Sequence, residues 1–555
     1  MESQQHLVDH DYILPIQNVA EAANDFADDN IQFWPIGDRP NSYKLIPSVH
    51  RKEEVIQDNL GYVYFRSKLT EKKIYLKCSE TSNGCPATAS ISTMVEDSVF
   101  SLKRLHNHPL HSSDNKVREL RNVLGDKCVQ RSARSYSART LYAESIVSHT
   151  EGATNYTFIQ AAERMRKIRK SVFPPTPKNL NNLNELLQLE KNKHFTVTFQ
   201  APESLFYQGP LLLPDGRFVG VLFSNINFIK TIQCELQNVK IAGCDGTFKT
   251  VPKTLDGDCY QLFTFQIIYK NVSFPLVYAL LNGKTEEIYV ALFKFVRQIV
   301  PLNYHNVTII TDFELAQMNA IKSIFKESDH QGCYFHFCQA VLRHLRSKEV
   351  GIYNLVKTNN IAARIFRMIL ALPYLPSDRN GQMPNMLDGF NAILICIVKY
   401  PEIADAFHSF LYNYVFGFWF VRIRPESFTV FNRTIRTNNY VESFHAALLK
   451  FIKPHPKIWE FIDQIRFLEN QHVTEFHQVS NNMKIRSGVS SRTRELNTLA
   501  IKNFIEQLLT DNAHDRVQTF LRRAGHRVDG YITQQIGPYP NEQELLLEEA
   551  AEVNI

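Results

Sequence analysis

Cysteine is scarce in this chain: nine in 555 residues, an odd number. Secreted disulfide frameworks are denser in cysteine and usually even, so the sequence reads as intracellular. Long apolar runs are missing too. The best candidate, LLLPDGRFVGVLF, is broken by proline, glycine and charge, so no membrane-spanning helix of roughly 18 or more apolar residues is expected. The first residues, MESQQHLVDHDY, lack a basic stretch followed by an apolar one, which excludes a secretory signal there. Charge of one sign is in short supply: 62 Lys and Arg against 56 Asp and Glu leave a net charge of +6. Any basic footprint must therefore be local. What is present is ordinary globular composition, 44% hydrophobic and 21% charged, with 38 Phe and 23 Tyr for a large core. This rules out a wholly disordered or fibrous chain. The length suggests about three or four domains.

The pattern changes several times along the chain. Residues 1–42 are polar and mildly acidic and read as a flexible arm. Residues 43–110 contain the short alternating pieces YKLI, GYVYF, KIYLKC, ATASIS and SVFSLKRL, the signature of a small antiparallel β unit. Residues 111–177 read as helical and basic, with Arg131, Arg134 and Arg139, then Arg164, Arg166, Lys167, Arg169 and Lys170. The prolines of SVFPPTP end the helix and mark a linker. From 178 to 475 long strand candidates appear: FTVTF, FVGVLF, VKIAGC, YQLFTFQIIY, SFPLVYALL and NVTIITD. Helical patterns cover 285–299 and 314–326, most of 341–437, and a pair over 438–475. This predicts an α/β domain with a buried sheet. Residues 476–555 read as helix and an acidic tail, and no internal repeat is found.

The small β unit has little core and needs a staple. Cys78, Cys85, His106 and His108 supply a closed set of two thiolates and two imidazoles, which suits tetrahedral zinc in a folding role. Further on, Asp245 in VKIAGCDGTFK and Asp312 in VTIITDFELA follow apolar strands. Buried carboxylates are costly unless paired or metal-bound. Glu314 is a rival for Asp312, and strand-end placement favours Asp312. In RTNNYVESFHAALLKF, Thr437, Asn438 and Asn439 can start a helix whose apolar stripe includes Tyr440, Phe444, Ala447, Leu448 and Phe451. Glu442 and His445 lie three apart beside that stripe.

Two resemblances organise these residues. YLKCSETSNGCPATASI followed by RLHNHP resembles the FLYWCH zinc finger, a module of DNA or protein contact, with Leu76 where that family usually has Trp. Lys72, Lys73, Lys77, Lys103 and Arg104 are its basic residues, read either as DNA contacts or as a solvated surface. CDGTFK, TDFELAQMNAIKSIF, GCYFHFCQAVLRHL and RTNNYVESFH, in that order, resemble the Mutator-like element (MULE) transposase domain. That resemblance implies an RNase H-like mixed sheet with a helical insertion, about 341–437, before the last acid. It also implies a catalytic triad of Asp245, Asp312 and Glu442 holding Mg²⁺ or Mn²⁺, alongside the structural Zn²⁺. The implied activity is metal-dependent cleavage and strand transfer on double-stranded DNA at terminal inverted repeats, by a nuclear protein that oligomerises on DNA. A domesticated, non-catalytic DNA-binding protein or transcription regulator on the same scaffold is the alternative. Cys333 and His336 match the family's Cys-x2-His motif, with metal binding, structure and DNA-end contact all open. His445 is read as orienting Glu442, touching phosphate, or simply packing. Trp419, Arg422 and Arg424 suit either base stacking with phosphate contact or a buried helix edge with a solvated arginine face. No cysteine follows Cys396, so the Cys-rich finger of many plant members is absent.

Overall fold

A computed structural model describes residues 40–47, 54–93, 99–109, 112–130, 136–347, 351–378, 383–485, 492–510 and 515–527. Most of the N-terminal arm, Arg131, Arg134 and the acidic tail lie outside these residues. The chain divides into two compact units, residues 1–172 and 173–555.

The first unit opens with six strands: β1 Tyr43–Pro47, β2 Glu54–Asp58, β3 Val63–Leu69, β4 Lys73–Cys78, β5 Thr88–Ser92 and β6 Ser101–Arg104. Each pairs antiparallel with its chain neighbour, giving the order β1-β2-β3-β4-β5-β6. β2 is not legible as a strand in the sequence. The core of this sheet is small: Ile56, Tyr62, Tyr64, Leu76, Ala89, Ile91 and Phe100. Leu76, which replaces the family's Trp, takes a buried place in it. Four helices follow, Ser112–Val129, Ala138–Ser148, Thr150–Thr154 and Phe158–Val172. They close on a separate core that includes Leu120, Leu124, Leu141, Tyr156, Ala161 and Met165. The last helix stops just before Phe173-Pro174-Pro175, where proline removes donors and crowds the preceding turn.

The second unit is built on a seven-stranded mixed sheet: β7 Tyr207–Leu212, β8 Phe218–Phe223, β9 Ile241–Thr247, β10 Gln261–Tyr269, β11 Val272–Leu281, β12 Thr308–Thr311 and β13 Asp329–Gly332. Its order is β13-β12-β9-β10-β11-β8-β7. β9 runs parallel to β12, and β12 to β13, while the remaining neighbours are antiparallel. Side chains alternate between two buried faces, as the two-residue repeat of a strand requires. Phe263, Phe265 and Ile267 join one core with the helices Glu286–Ile299 and Leu315–Ile324. Leu262, Tyr278 and Leu280 join the other with the helices Leu180–Gln188, Asn439–Phe451 and Ile458–Ser480. FTVTF, expected as a strand, is instead the end of a 3₁₀ turn, Glu190–Phe195, followed by a single bridge between Val197 and Leu205. β13, with the polar sequence DHQG, has no counterpart among the strands expected from the sequence.

Between β13 and the helix Asn439–Phe451 lies an all-helical layer with a third core. It includes the helices Tyr334–Leu345, Asn360–Ala371 and Met386–Val398 and the π-helical stretch Phe410–Ile423. The C-terminal helices Arg492–Thr510 and Arg516–Gly525 pack into this same core through Ile501, Leu508, Phe520 and Leu521. Among the described residues no helix is long and apolar enough to cross a membrane.

Candidate metal centres

In the first unit, Cys78 ends β4 and Cys85 closes the tight turn after it. Gly84 makes that turn possible, because its φ of +88° lies in the left-handed region that favours glycine. His106 and His108 follow β6. The four ligand atoms all lie within 4.8 Å of one another. Cys78 Sγ is 3.3 Å from His108 Nε2, Cys85 Sγ is 3.5 Å from His106 Nδ1, and the two histidine nitrogens are 3.2 Å apart. Burial pushes the Cys78 thiol up to about 12 and the His106 ring down to about 3. A doubly charged ion is what makes two thiolates tolerable in such a place.

The surroundings fix both imidazoles. The Tyr64 hydroxyl donates to Asp58 Oδ2 at 2.8 Å and lies 2.7 Å from His106 Nε2. With its proton committed to Asp58, Tyr64 accepts from Nε2–H, which leaves the Nδ1 lone pair for a metal. His108 does the reverse: Nδ1 lies 2.9 Å from the Pro109 carbonyl, so Nε2 is the nitrogen that turns its lone pair to the site. The Tyr62 ring stacks on His106 at 3.8 Å between centroids. Such outer-shell partners are how proteins orient metal-binding histidines. The basic residues Lys72, Lys73, Lys77, Lys103 and Arg104 are all exposed.

In the second unit, β9 and β12 run side by side in the register Ile310–Gly243. Two residues further along each chain stand Asp312 and Asp245. Gly243 lets the helix Asn439–Phe451 press on the sheet: a Cβ there would lie 2.8 Å from Val441 Cγ2 and 2.9 Å from Asn438 Oδ1. Four residues along a helix and two along a strand both advance about 6 Å. His445, one turn beyond Val441, accordingly meets Asp245, with Nδ1 3.2 Å from Oδ2. Its Nε2 lies 3.1 Å from Thr264 Oγ1, opposite Asp245 on β10. Asn438 precedes the helix as its N-cap but makes no side-chain cap bond, unlike the start expected from Thr437-Asn438-Asn439.

His336, on the helix Tyr334–Leu345, stands between the other two acids. Its Nδ1 is 2.7 Å from Asp312 Oδ1, and its Nε2 is 3.6 Å from Glu442 Oε1. Burial opposes a charge on this ring, but its contacts with Asp312 and Cys333 outweigh that and push it up to about 11. Burial raises Glu442, His336 opposes the rise, and Asp312 and Asp245 add to it by like-charge repulsion. Burial raises Glu314 as well; Tyr289 and Lys284 oppose, and both aspartates reinforce. The structure thus gathers Asp245, Asp312, Glu442, His336 and His445, and adds Glu314 at the rim. His445 contacts Asp245 and also bears electrostatically on Glu442, opposing its rise.

Trp419 does not face solvent. It is 1% exposed and packed against Phe313, Phe337 and Phe428. So buried, the indole has no exposed face to offer a base. Arg422 and Arg424 are exposed.

Residues 241–340 match the MULE transposase domain, and residues 55–108 match the FLYWCH zinc finger domain. No curated protein matches the chain. The two matches suggest a transposase-like, DNA-binding protein, and the second, with the Cys/His cluster of the first unit, suggests structural zinc. Asp245, Asp312, Cys333 and His336 fall inside the first match, whereas Glu442 and His445 lie beyond it.

Proposed function

We propose that this chain is a DNA transposase that hydrolyses phosphodiester bonds at transposon ends and then carries out strand transfer, in which the freed 3′ hydroxyl attacks a target phosphate and displaces the target's own 3′ oxygen. The observation that carries this reading is the meeting of Asp245, Asp312 and Glu442 around His336 and His445. Counted from β9, the first and fourth strands of the sheet lie side by side and parallel. That favours an RNase H-like fold, with Glu442 arriving on a helix over it.

The acids suit a hard divalent ion. Asp312 Oδ1 and Glu442 Oε1 are buried oxygens without a hydrogen-bond partner among the described residues, and carboxylate oxygen is what Mg²⁺ and Mn²⁺ prefer. Asp245, Asp312 and Glu442 would hold such ions, which when bound neutralise phosphate charge and activate the attacking oxygen. The chain's own residues prepare the site. His445, tied to Thr264, orients the Asp245 carboxylate. With no ion on its ring, His336 carries a proton and balances the charge of Asp312 and Glu442. The exposed Arg422 and Arg424 and the basic residues of the zinc unit supply phosphate contacts. The reading includes nuclear residence, recognition of terminal inverted repeats and assembly of more than one copy on DNA.

The test is cleavage of a plasmid bearing candidate terminal inverted repeats taken from the DNA on either side of the gene. Wild-type protein should release ends carrying 3′ hydroxyls in the presence of Mg²⁺ or Mn²⁺, and Asp245→Asn should bind the same DNA without cutting it. Binding without cleavage by the wild type would replace the enzyme with a DNA-binding regulator.

A further inference from the structure

We infer a second transition-metal site, distinct from the zinc finger, formed by Asp312, Cys333 and His336 and selecting a zinc- or cobalt-class ion. This does not rest on the transposase reading, since it follows from the donor set alone.

The fold brings the three donors together by register. β12 and β13 are parallel partners with Thr311 opposite Gly332, so the next residues, Asp312 and Cys333, emerge side by side. The Cys333 amide donates to the Thr311 carbonyl at 2.8 Å and extends that pairing. The helix Tyr334–Leu345 begins directly after Cys333. A spacing of three residues returns the His336 ring to the Cys333 side of that helix.

The ligand atoms Asp312 O, Cys333 Sγ and His336 N all lie within 4.8 Å of one another. Donors bound to one ion at about 2.0–2.3 Å stand at comparable separations. Two details point to ligation rather than to a polar cluster. His336 Nδ1 and Asp312 Oδ1 are 2.7 Å apart, and both are buried atoms with no other hydrogen-bond partner among the described residues. Cys333 is fully buried, and its sulfur accepts the backbone N–H of Asn438 at 3.2 Å, a contact that stabilises a thiolate. The far ring nitrogen, Nε2, faces Glu442 Oε1 at 3.6 Å, an ion-pair distance rather than a hydrogen bond.

Thiolate and imidazole are softer donors than the three acids and select Zn²⁺ or Co²⁺ over Mg²⁺. Three protein donors leave an open fourth position, the pattern of a reactive rather than a closed zinc site. Because Asp312 belongs to this set and to the acidic triad, the two kinds of ion compete for it.

The experiment loads the metal-stripped full-length chain with Co²⁺ and counts tightly held equivalents after desalting, reading the sulfur-to-cobalt charge-transfer absorption. Wild type should retain about two equivalents, one in each cysteine-containing site. Cys333→Ser and, separately, His336→Gln should each retain about one, as should Cys78→Ser, which leaves the second site intact. The His336→Gln variant keeps the buried Cys333 in place and so guards against a folding artefact in Cys333→Ser. A wild-type count of one, or two equivalents persisting in both second-unit variants, would overturn the inference.

Discussion

Replacing Tyr64 with Phe is the sharpest perturbation of the zinc unit, because it removes one oxygen atom and nothing else. The ring is fully buried and packs against Phe100 at 5.1 Å between centroids, so the phenyl group keeps its place. The hydroxyl links Asp58 Oδ2 and His106 Nε2, at 2.8 and 2.7 Å. Asp58 keeps its Oδ1 bonds from the Leu60 and Tyr62 amides. The loss therefore falls on one carboxylate oxygen and one imidazole N–H, both left in a dry place. Leaving a buried polar group unsatisfied costs about 1–3 kcal/mol. Removing an outer-shell partner of a metal ligand typically weakens binding about 10–100-fold, which is about 1.4–2.8 kcal/mol. Two unsatisfied groups at that cost come to about 2–6 kcal/mol, and the zinc affinity reads about 1.4–2.8 kcal/mol of it. Chelator competition on the full-length chain, read as residual zinc against chelator concentration, measures it. Tyr62→Phe is the control: it keeps the stack on His106 and gives up a 3.3 Å bond to the His108 carbonyl, so its zinc affinity should fall by less than about threefold. If Tyr64→Phe holds zinc as tightly as wild type, or Tyr62→Phe weakens it as much, the relay from Asp58 through Tyr64 to His106 is not what orients the ligand.

Other outcomes follow from the second unit. Gly243→Ala should destabilise by about 1–3 kcal/mol in denaturant unfolding, because the added methyl meets Val441 and Asn438 and pushes the Glu442 helix off the sheet. Burial raises Glu469, with the Asn225 amide opposing, to about 7. The folded chain then holds a proton that the unfolded chain releases near its ordinary value of 4.5. This contribution is full below that value and is lost as pH rises towards 7, amounting to at most about 3 kcal/mol. Glu469→Gln should flatten the pH dependence over that window, and an unchanged slope would refute it. Reversing charge at Arg422 and Arg424 should weaken duplex binding for all sequences alike, lowering the log–log salt slope by about 0.9 for each phosphate no longer neutralised.

The two halves of the molecule differ in how far their sequence discloses them. The zinc ligands are legible because thiolates and imidazoles clustered in a segment too short for a core explain themselves. Leu76 is legible as a core residue, since an apolar side chain between polar neighbours on a strand has only one place to go. β13 is not, because DHQG carries no apolar alternation; its pairing comes from its neighbour β12. FTVTF misleads for the opposite reason: β-branched and aromatic residues suit a strand, yet Thr196 and Phe195 serve a turn. Trp419 and the nearby arginines suggest a stacking surface, but periodicity alone does not say which face of Phe410–Ile423 is covered by other helices. Asp312 follows its apolar strand as the sequence suggests, whereas Asp245, expected at a strand end, stands inside β9 opposite Thr264, because the pairing with β10 runs on past the apolar run. The roles of His336 and His445 are hidden in the sequence, because they depend on contacts between residues far apart in the chain.

The most direct test of the central claim is an anomalous diffraction map of the protein soaked with Mn²⁺. The account predicts a peak at roughly 2.0–2.6 Å from carboxylate oxygens of Asp245, Asp312 and Glu442 together. A peak that leaves out Glu442, or no peak among the three acids, would contradict it.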